Sequence, residues 1–123
     1  MENTDLLNCI KIIGDFPTIY RTENQTPLGV MMQSGYSNLF SLVTIENISD
    51  YLIQKPKLIE DWINYSEDIR HSPAWGFGQD GNGSWTVAYS DDGKFIDKYN
   101  YNDKFVACAK MVKVTFEEIR KHI

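Results

Sequence analysis

The sequence predicts an α+β fold in which an antiparallel β-meander packs against amphipathic helices, the last of them long. Three observations lead there. From Ala74 to Tyr101 the residues alternate like strands and are broken by Asp80-Gly81-Asn82-Gly83 and Asp91-Asp92-Gly93, strong hairpin turns. From Phe105 onward the apolar positions Phe105, Ala109, Val112, Phe116, Ile119 and Ile123 step by four and three, the spacing of one helix face. Between Lys57 and Ile69 the same period recurs around Trp62. A chain of 123 residues, 42% hydrophobic and 13% aromatic, carries enough apolar surface for one core, so residues 1–123 are read as a single domain.

Taken in order, Thr4 or Asp5 caps a helix carrying Leu6, Leu7, Cys9, Ile10 and Ile13, with Gly14 ending it and Pro17 beyond. The stretch from Asp15 to Pro27 is polar at Tyr20–Thr26 and lacks a period, which predicts a surface loop. Leu28–Gln33 and Leu39–Ile45 are short apolar runs around Ser34-Gly35-Tyr36-Ser37-Asn38, which predict an earlier β-hairpin, helix being the alternative for the second run. Asn47 or Ser49 opens a short helix through Gln54, and Pro56 suits the first turn of the next. In that next helix Ile59, Trp62, Ile63, Ser66 and Ile69 share one face, with Lys57, Glu60, Asp61, Asn64, Glu67 and Asp68 on the other. Pro73 stops the helix, and strands are expected at 74–79, 84–90 and 94–101. Asn102 or Asp103 caps the final helix, and its closing Arg120 and Lys121 complement the helix dipole.

Composition narrows the function. A net charge of −5 repels phosphate backbones and anionic membranes, so a direct nucleic-acid ligand is not expected. The N-terminal residues lack the basic and apolar regions of a signal peptide, and no run reaches membrane-spanning length, which predicts a cytoplasmic location. Cys9 and Cys108 lie far apart in amphipathic stretches and read as buried free thiols.

No catalytic, cofactor or metal signature emerges. His71 and His122 are the only histidines, too few for a three-histidine or HExxH zinc site. There is no Walker-type loop, no GxGxxG and no GxSxG elbow. A Cys108–His71 pair is disfavoured because Ala107, Cys108 and Ala109 open a helix that must bury a side. Asp80 to Asp91 echoes a calcium loop, but Trp85 replaces its glycine and Asp91 its closing glutamate.

The distinctive feature is aromatic density with acidic turns: Trp75, Phe77, Trp85, Tyr89, Phe95, Tyr99 and Tyr101 among Asp80, Asp91, Asp92 and Asp97. Cross-strand packing explains such residues without function, whereas Trp and Tyr anchors rimmed by carboxylates suit a basic partner. The candidate partner-binding residues are Asp80, Trp85, Tyr89, Asp91, Asp92 and Asp97, with Trp85, Val87 and Tyr89 sharing a strand face. A small-molecule pocket beside the sheet, or an accessory role in a phage or secretion apparatus, fits the same residues.

The second half has a recognisable order: Trp62-Ile63-Asn64-Tyr65-Ser66-Glu67-Asp68-Ile69-Arg70, Ser72-Pro73-Ala74-Trp75, the Gly-punctuated meander, and Ala107-Cys108-Ala109. Over residues 56–123 this resembles small bacterial immunity proteins of contact-dependent growth-inhibition and polymorphic toxin systems. The resemblance implies a non-enzymatic, stoichiometric inhibitor. It would act as a monomer that binds the C-terminal domain of its cognate toxin, a basic nuclease, one to one and blocks its active site or substrate groove. It implies no particular contact residue.

Overall fold

The computed structural model describes residues 2–68 and 74–121. Along the chain run α1 (Glu2–Gly14), α2 (Phe16–Glu23), α3 (Pro27–Ser34), α4 (Tyr36–Leu39), α5 (Ile45–Gln54), α6 (Lys57–Asp68), β1 (Ala74–Gln79), β2 (Trp85–Asp91), β3 (Lys94–Tyr101) and α7 (Lys104–Lys121). The strands form an antiparallel meander in the order β1-β2-β3, so the α+β class with a long C-terminal helix is observed. Residues 69–73, 122 and 123 lie outside the described residues, and with them the expectations placed on Ile69, His71, Pro73, His122 and Ile123.

The first half is helical throughout, which corrects two expectations. The segment read as a loop is α2: Asp15 stands at its N-cap, Pro17 lies in its first turn, and Phe16 is completely buried. Pro17 therefore starts a helix, because proline's missing N–H costs nothing in a first turn. The predicted hairpin is α3 and α4. Thr26 caps α3 by accepting the Gly29 N–H at 3.0 Å, Pro27 follows at the first position, and Gly35 closes it with φ 78°. Short apolar runs have no period of their own, and here the cap decides the backbone. Residues 28–45 do not join the sheet. Helix α5 begins earlier than expected, because Thr44 and Asn47 form a reciprocal capping box: Asn47 N–H donates to Thr44 Oγ1 (3.1 Å) and Thr44 N–H to Asn47 Oδ1 (2.9 Å).

Helix α7 is the centre of the molecule. It packs against α1, α3, α5 and α6 on its helical side and against all three strands on the other. Ala107, Cys108, Ala109, Met111, Val112 and Phe116 are all fully buried. The single apolar stripe expected from its period is thus too narrow, because a helix sandwiched between two layers hides most of its circumference. Cys108 faces this interior and Cys9 is buried on α1, both as free thiols.

An aromatic cluster joins the layers. Phe16 meets Tyr65 and Phe116 edge-on, with ring centres 4.9 and 5.6 Å apart, and Trp62 lies 5.9 Å from Phe16. On α6 the buried residues are Leu58, Ile59, Asp61, Trp62, Tyr65 and Ser66, so the face is turned from the one predicted and takes in Asp61. Asp61 is reached by Arg21 at 3.6 Å and by the Thr18 hydroxyl at 3.5 Å, both from α2, the helix the sequence reading lacked.

Gly14 is needed for more than ending α1. A Cβ there would stand 2.9 Å from the Tyr51 ring, whose hydroxyl is tethered to Asp15 Oδ1 at 2.7 Å, while the Gly14 carbonyl accepts the Trp62 indole N–H at 2.9 Å. Gly14→Ala is therefore expected to destabilise by about 1–2 kcal/mol, overpacking outweighing the gain in helix propensity. Urea denaturation checks the sign, and an increase in stability would contradict the packing.

Candidate interaction surface

The meander has one covered and one uncovered side. Pairing of Trp75 with Tyr89, Phe77 with Val87 and Val87 with Tyr99 puts these side chains on the face that meets α7, where Phe77 and Val87 are buried. The opposite face carries Gly76, Gly78, Thr86, Ala88 and Ser90. With Phe95 and Lys98 they line a shallow groove of about 290 Å³. The groove is open to solvent, although Ala88 on its floor is buried and Ser66 of α6 stands 3.6 Å from where a Gly76 Cβ would be.

The two edges differ as well. Beside β1, Ser66 of α6 accepts the Phe77 N–H through Oγ at 2.8 Å, so one outward backbone group of that edge is taken up by a side chain. Strand β3 forms the other edge, and every residue from Lys94 to Asn100 is exposed. Phe95 and Ile96 are 65% and 60% exposed, next to the bulge where the β2–β3 register shifts at Tyr89/Ser90.

The six candidate residues separate into two groups, since successive turns of a meander lie at opposite ends of the sheet. Asp80 and Trp85 belong to the first turn, where Asp80 Oδ1 accepts the N–H groups of Asn82 (2.8 Å) and Ser84 (3.1 Å). That role is structural, as in an Asx turn. Trp85 is half-buried and stacked on Phe77 at 5.6 Å, as a buttress of the covered face. At the other end, about 20 Å away by strand length, Asp91 and Asp92 form the tip of the β2–β3 hairpin. Asp92 and Gly93 there both have positive φ, 55° and 80°. That is the pattern of a two-residue type I′ turn. Tyr89 and Asp97 pair directly across the ladder near this tip, and Tyr89 packs on Trp75 at 5.3 Å. Tyr89, Asp91, Asp92 and Asp97 thus come together, and Asp80 and Trp85 do not join them.

Sequence reasoning passed over the groove, although its signal was present. In β1 and β2 every second residue is small, Ala74, Gly76, Gly78 and Thr86, Ala88, Ser90, while the aromatics alternate with them. Such a pattern marks a face without side chains large enough to form a core.

A second polar cluster joins α7 to the segment after α4. Lys113 Nζ donates to the carbonyls of Phe40 and Val43, each at 2.7 Å, and Glu117 accepts the Tyr36 hydroxyl at 2.6 Å and two N–H groups of Arg120. Arg120 also lies 3.8 Å over the Phe40 ring. Arg120's hydrogen bonds hold the Glu117 carboxyl down at about 2, with the Tyr36 hydroxyl adding to the effect against burial, while burial lowers Lys113 and raises Tyr36. The Lys113 and Tyr36 hydrogen bonds fasten the segment from α4 to α5 onto α7, while the Glu117–Arg120 pair lies within α7 itself. Because the Glu117 pKa is depressed on folding, its stabilising contribution is complete above the unfolded value near 4.5 and is lost as pH falls towards about 2. Glu117→Gln should flatten the stability–pH curve across that window, as chemical denaturation at several pH values would reveal.

Among the described residues no group of three His, Cys, Asp or Glu side chains could hold a metal ion, and no helix is long and apolar enough to cross a membrane. In comparisons with known proteins, no family model, no curated protein and no solved structure matches the chain.

Proposed function

We propose that this chain is a stoichiometric protein-binding module of the immunity type, which engages its partner through the uncovered side of the meander. One observation carries the reading: β3 is an exposed sheet edge that presents Phe95 and Ile96 beside the Asp91–Asp92 tip, with Asp97 exposed on the same edge but on the face of Tyr89. Adjacent large apolar residues on an exposed strand are unusual unless something covers them, and aromatic anchors rimmed by charge are what a binding hot spot requires. The partner that suits these residues is the basic C-terminal nuclease domain of a toxin, bound one to one in the cytoplasm. Support for that choice comes from the resemblance over residues 56–123 and from the net charge of −5, which draws in the same basic groove that attracts a polyanion.

Growth rescue provides the test, in cells expressing the toxin domain encoded immediately upstream of this gene. Co-expression is expected to restore growth, and Asp91→Lys with Asp92→Lys to weaken the complex by about tenfold and to reduce its salt dependence. Absence of rescue together with absence of binding would refute the reading; unchanged affinity in the double variant would remove the hairpin tip from the interface.

A further inference from the structure

A second groove, built by residues outside the meander, has the groups of a ligand site. It lies where α1 meets α3 and α4, and its volume of about 470 Å³ is within the range of small-ligand pockets. Helix α1 contributes Asp5, Asn8 and Ile12, and the α3–α4 corner contributes Met32, Gln33, Asn38 and Leu39. That corner is held in one shape. Ser34 Oγ donates to the Met31 carbonyl at 2.9 Å and accepts the Tyr36 N–H at 3.2 Å, and Gly35 takes the left-handed φ of 78° between the two helices. The Tyr36 hydroxyl is in turn bonded to Glu117 on α7. The groove is therefore formed before anything enters it, which lowers the cost of binding.

Its polar groups are uncommitted: the side chains of Asp5, Asn8, Gln33 and Asn38 hold no hydrogen bond or ion pair with another described residue. Two properties then select the occupant. The first is charge. Asp5 is the one charged side chain in the described lining, and the C-terminal turn of α3, whose carbonyls carry partial negative charge, lies in the same wall. The α1 N-terminus near Asp5 offsets only roughly half a charge, so the groove stays negative and favours a cation. The second is shape and hydrogen bonding. From Asp5 to Ile12 α1 advances about 10 Å, the span of about three extended residues. An amide side chain donates and accepts at once, and so does an extended residue, whose N–H and C=O point to the same side. Amides contributed by both α1 and the α3–α4 corner thus match an extended backbone, Asp5 matches a basic side chain, and Ile12, Met32 and Leu39 match an apolar one. We propose that this groove binds a short extended peptide segment of another protein, carrying a basic residue close in sequence to an apolar one. The site shares no residue with the meander surface, so it goes beyond the proposed function and stands or falls apart from it.

The probe is the capped peptide acetyl-Lys-Ala-Leu-methylamide, titrated into the isotope-labelled full chain and followed by amide chemical shifts, the side-chain amides of Asn8, Gln33 and Asn38 included. Expected are saturable shifts of those three signals and of the Ile12 and Leu39 backbone amides. Binding should be about tenfold weaker when norleucine replaces the peptide's lysine and when the chain carries Asp5→Lys. In that variant chain acetyl-Glu-Ala-Leu-methylamide should bind as the lysine peptide binds the original, a recovery that a misfolded variant would not give. Butylamine, which has the charge without the backbone, should leave the three side-chain amides unmoved. Equal shifts with butylamine would overturn the proposal by making the groove a site for a bare cation. No saturable shift at millimolar peptide, or shifts confined to the meander, would overturn it as well. So would concentration-dependent shifts of the same amides without peptide, by making a second copy the occupant. If the toxin domain binds at the meander and the peptide does not bind, the groove proposal fails while the proposed function stands. If the peptide binds in the groove and the toxin domain does not bind, the groove proposal stands and the proposed partner falls.

Discussion

Trp62→Ala is expected to lower stability by about 3–5 kcal/mol, the range for truncating a buried aromatic. Trp62 is fully buried where α2, α6 and α7 converge. Its ring meets Phe16 at 5.9 Å and Tyr65 edge-on at 5.6 Å, and its indole N–H satisfies the Gly14 carbonyl at the end of α1. Truncation leaves a cavity in the aromatic cluster and a buried carbonyl without its donor. For a domain whose whole stability is about 5–15 kcal/mol, such a loss brings the chain close to unfolding. Trp62→Phe separates the two contributions, because most of the ring packing survives while the hydrogen bond is lost, at about 1–3 kcal/mol. Guanidinium titration of both variants checks the order. A loss under 1 kcal/mol for Trp62→Ala would contradict the central position assigned to the residue.

Lys113→Met is expected to cost about 2–3 kcal/mol, the consequence of leaving two partly buried carbonyls without a donor. The methionine replaces the stem of the lysine but not its ammonium, so the Phe40 and Val43 carbonyls lose the group that fastens them to α7. The Lys113 ammonium also lies 5.1 Å from the Tyr36 ring, so the substitution loosens both ends of the segment between α4 and α5. The effect should be local. Amide exchange is expected to accelerate over residues 36–48 and to stay unchanged over β1–β3, and equal acceleration in both regions would show that the clamp is not confined to its own segment.

Legibility in the sequence tracked how local each signal was. The meander was legible because Asp80-Gly81-Asn82-Gly83 and Asp92-Gly93 force turns by themselves, and β1 and β3 fall where they were expected. Helices α2 and α3 were missed for a related reason. Pro17 reads as lying beyond a helix that Gly14 ends, although it starts α2, and Thr26-Pro27 reads as the close of a loop, although it starts α3. Both errors come from giving hydrophobic pattern precedence over caps in segments of eight residues, too short to show a period. The burial of Asp61 and the breadth of the α7 core could not be read locally, since they depend on α2 and on the sheet lying where they do.

The candidate site was legible by composition more than by position. The acidic tip of Asp91 and Asp92 and the exposed Asp97 are where a partner could reach them, whereas Trp85 is stacked against Phe77 in support of the sheet. Grouping Asp80 with Asp91 treated neighbouring turns in sequence as neighbours in space, which a meander does not allow. The Phe95–Ile96 pair owes its exposure to the edge position of β3, a fact of strand order and not of any one residue.

The most direct test of the account is amide hydrogen exchange on the full chain, alone and saturated with the toxin domain. Protection concentrated between Tyr89 and Tyr101, with α1 to α5 unchanged, is the result the account predicts; protection confined to the helical layer, with the meander exchanging as in the protein alone, would contradict it.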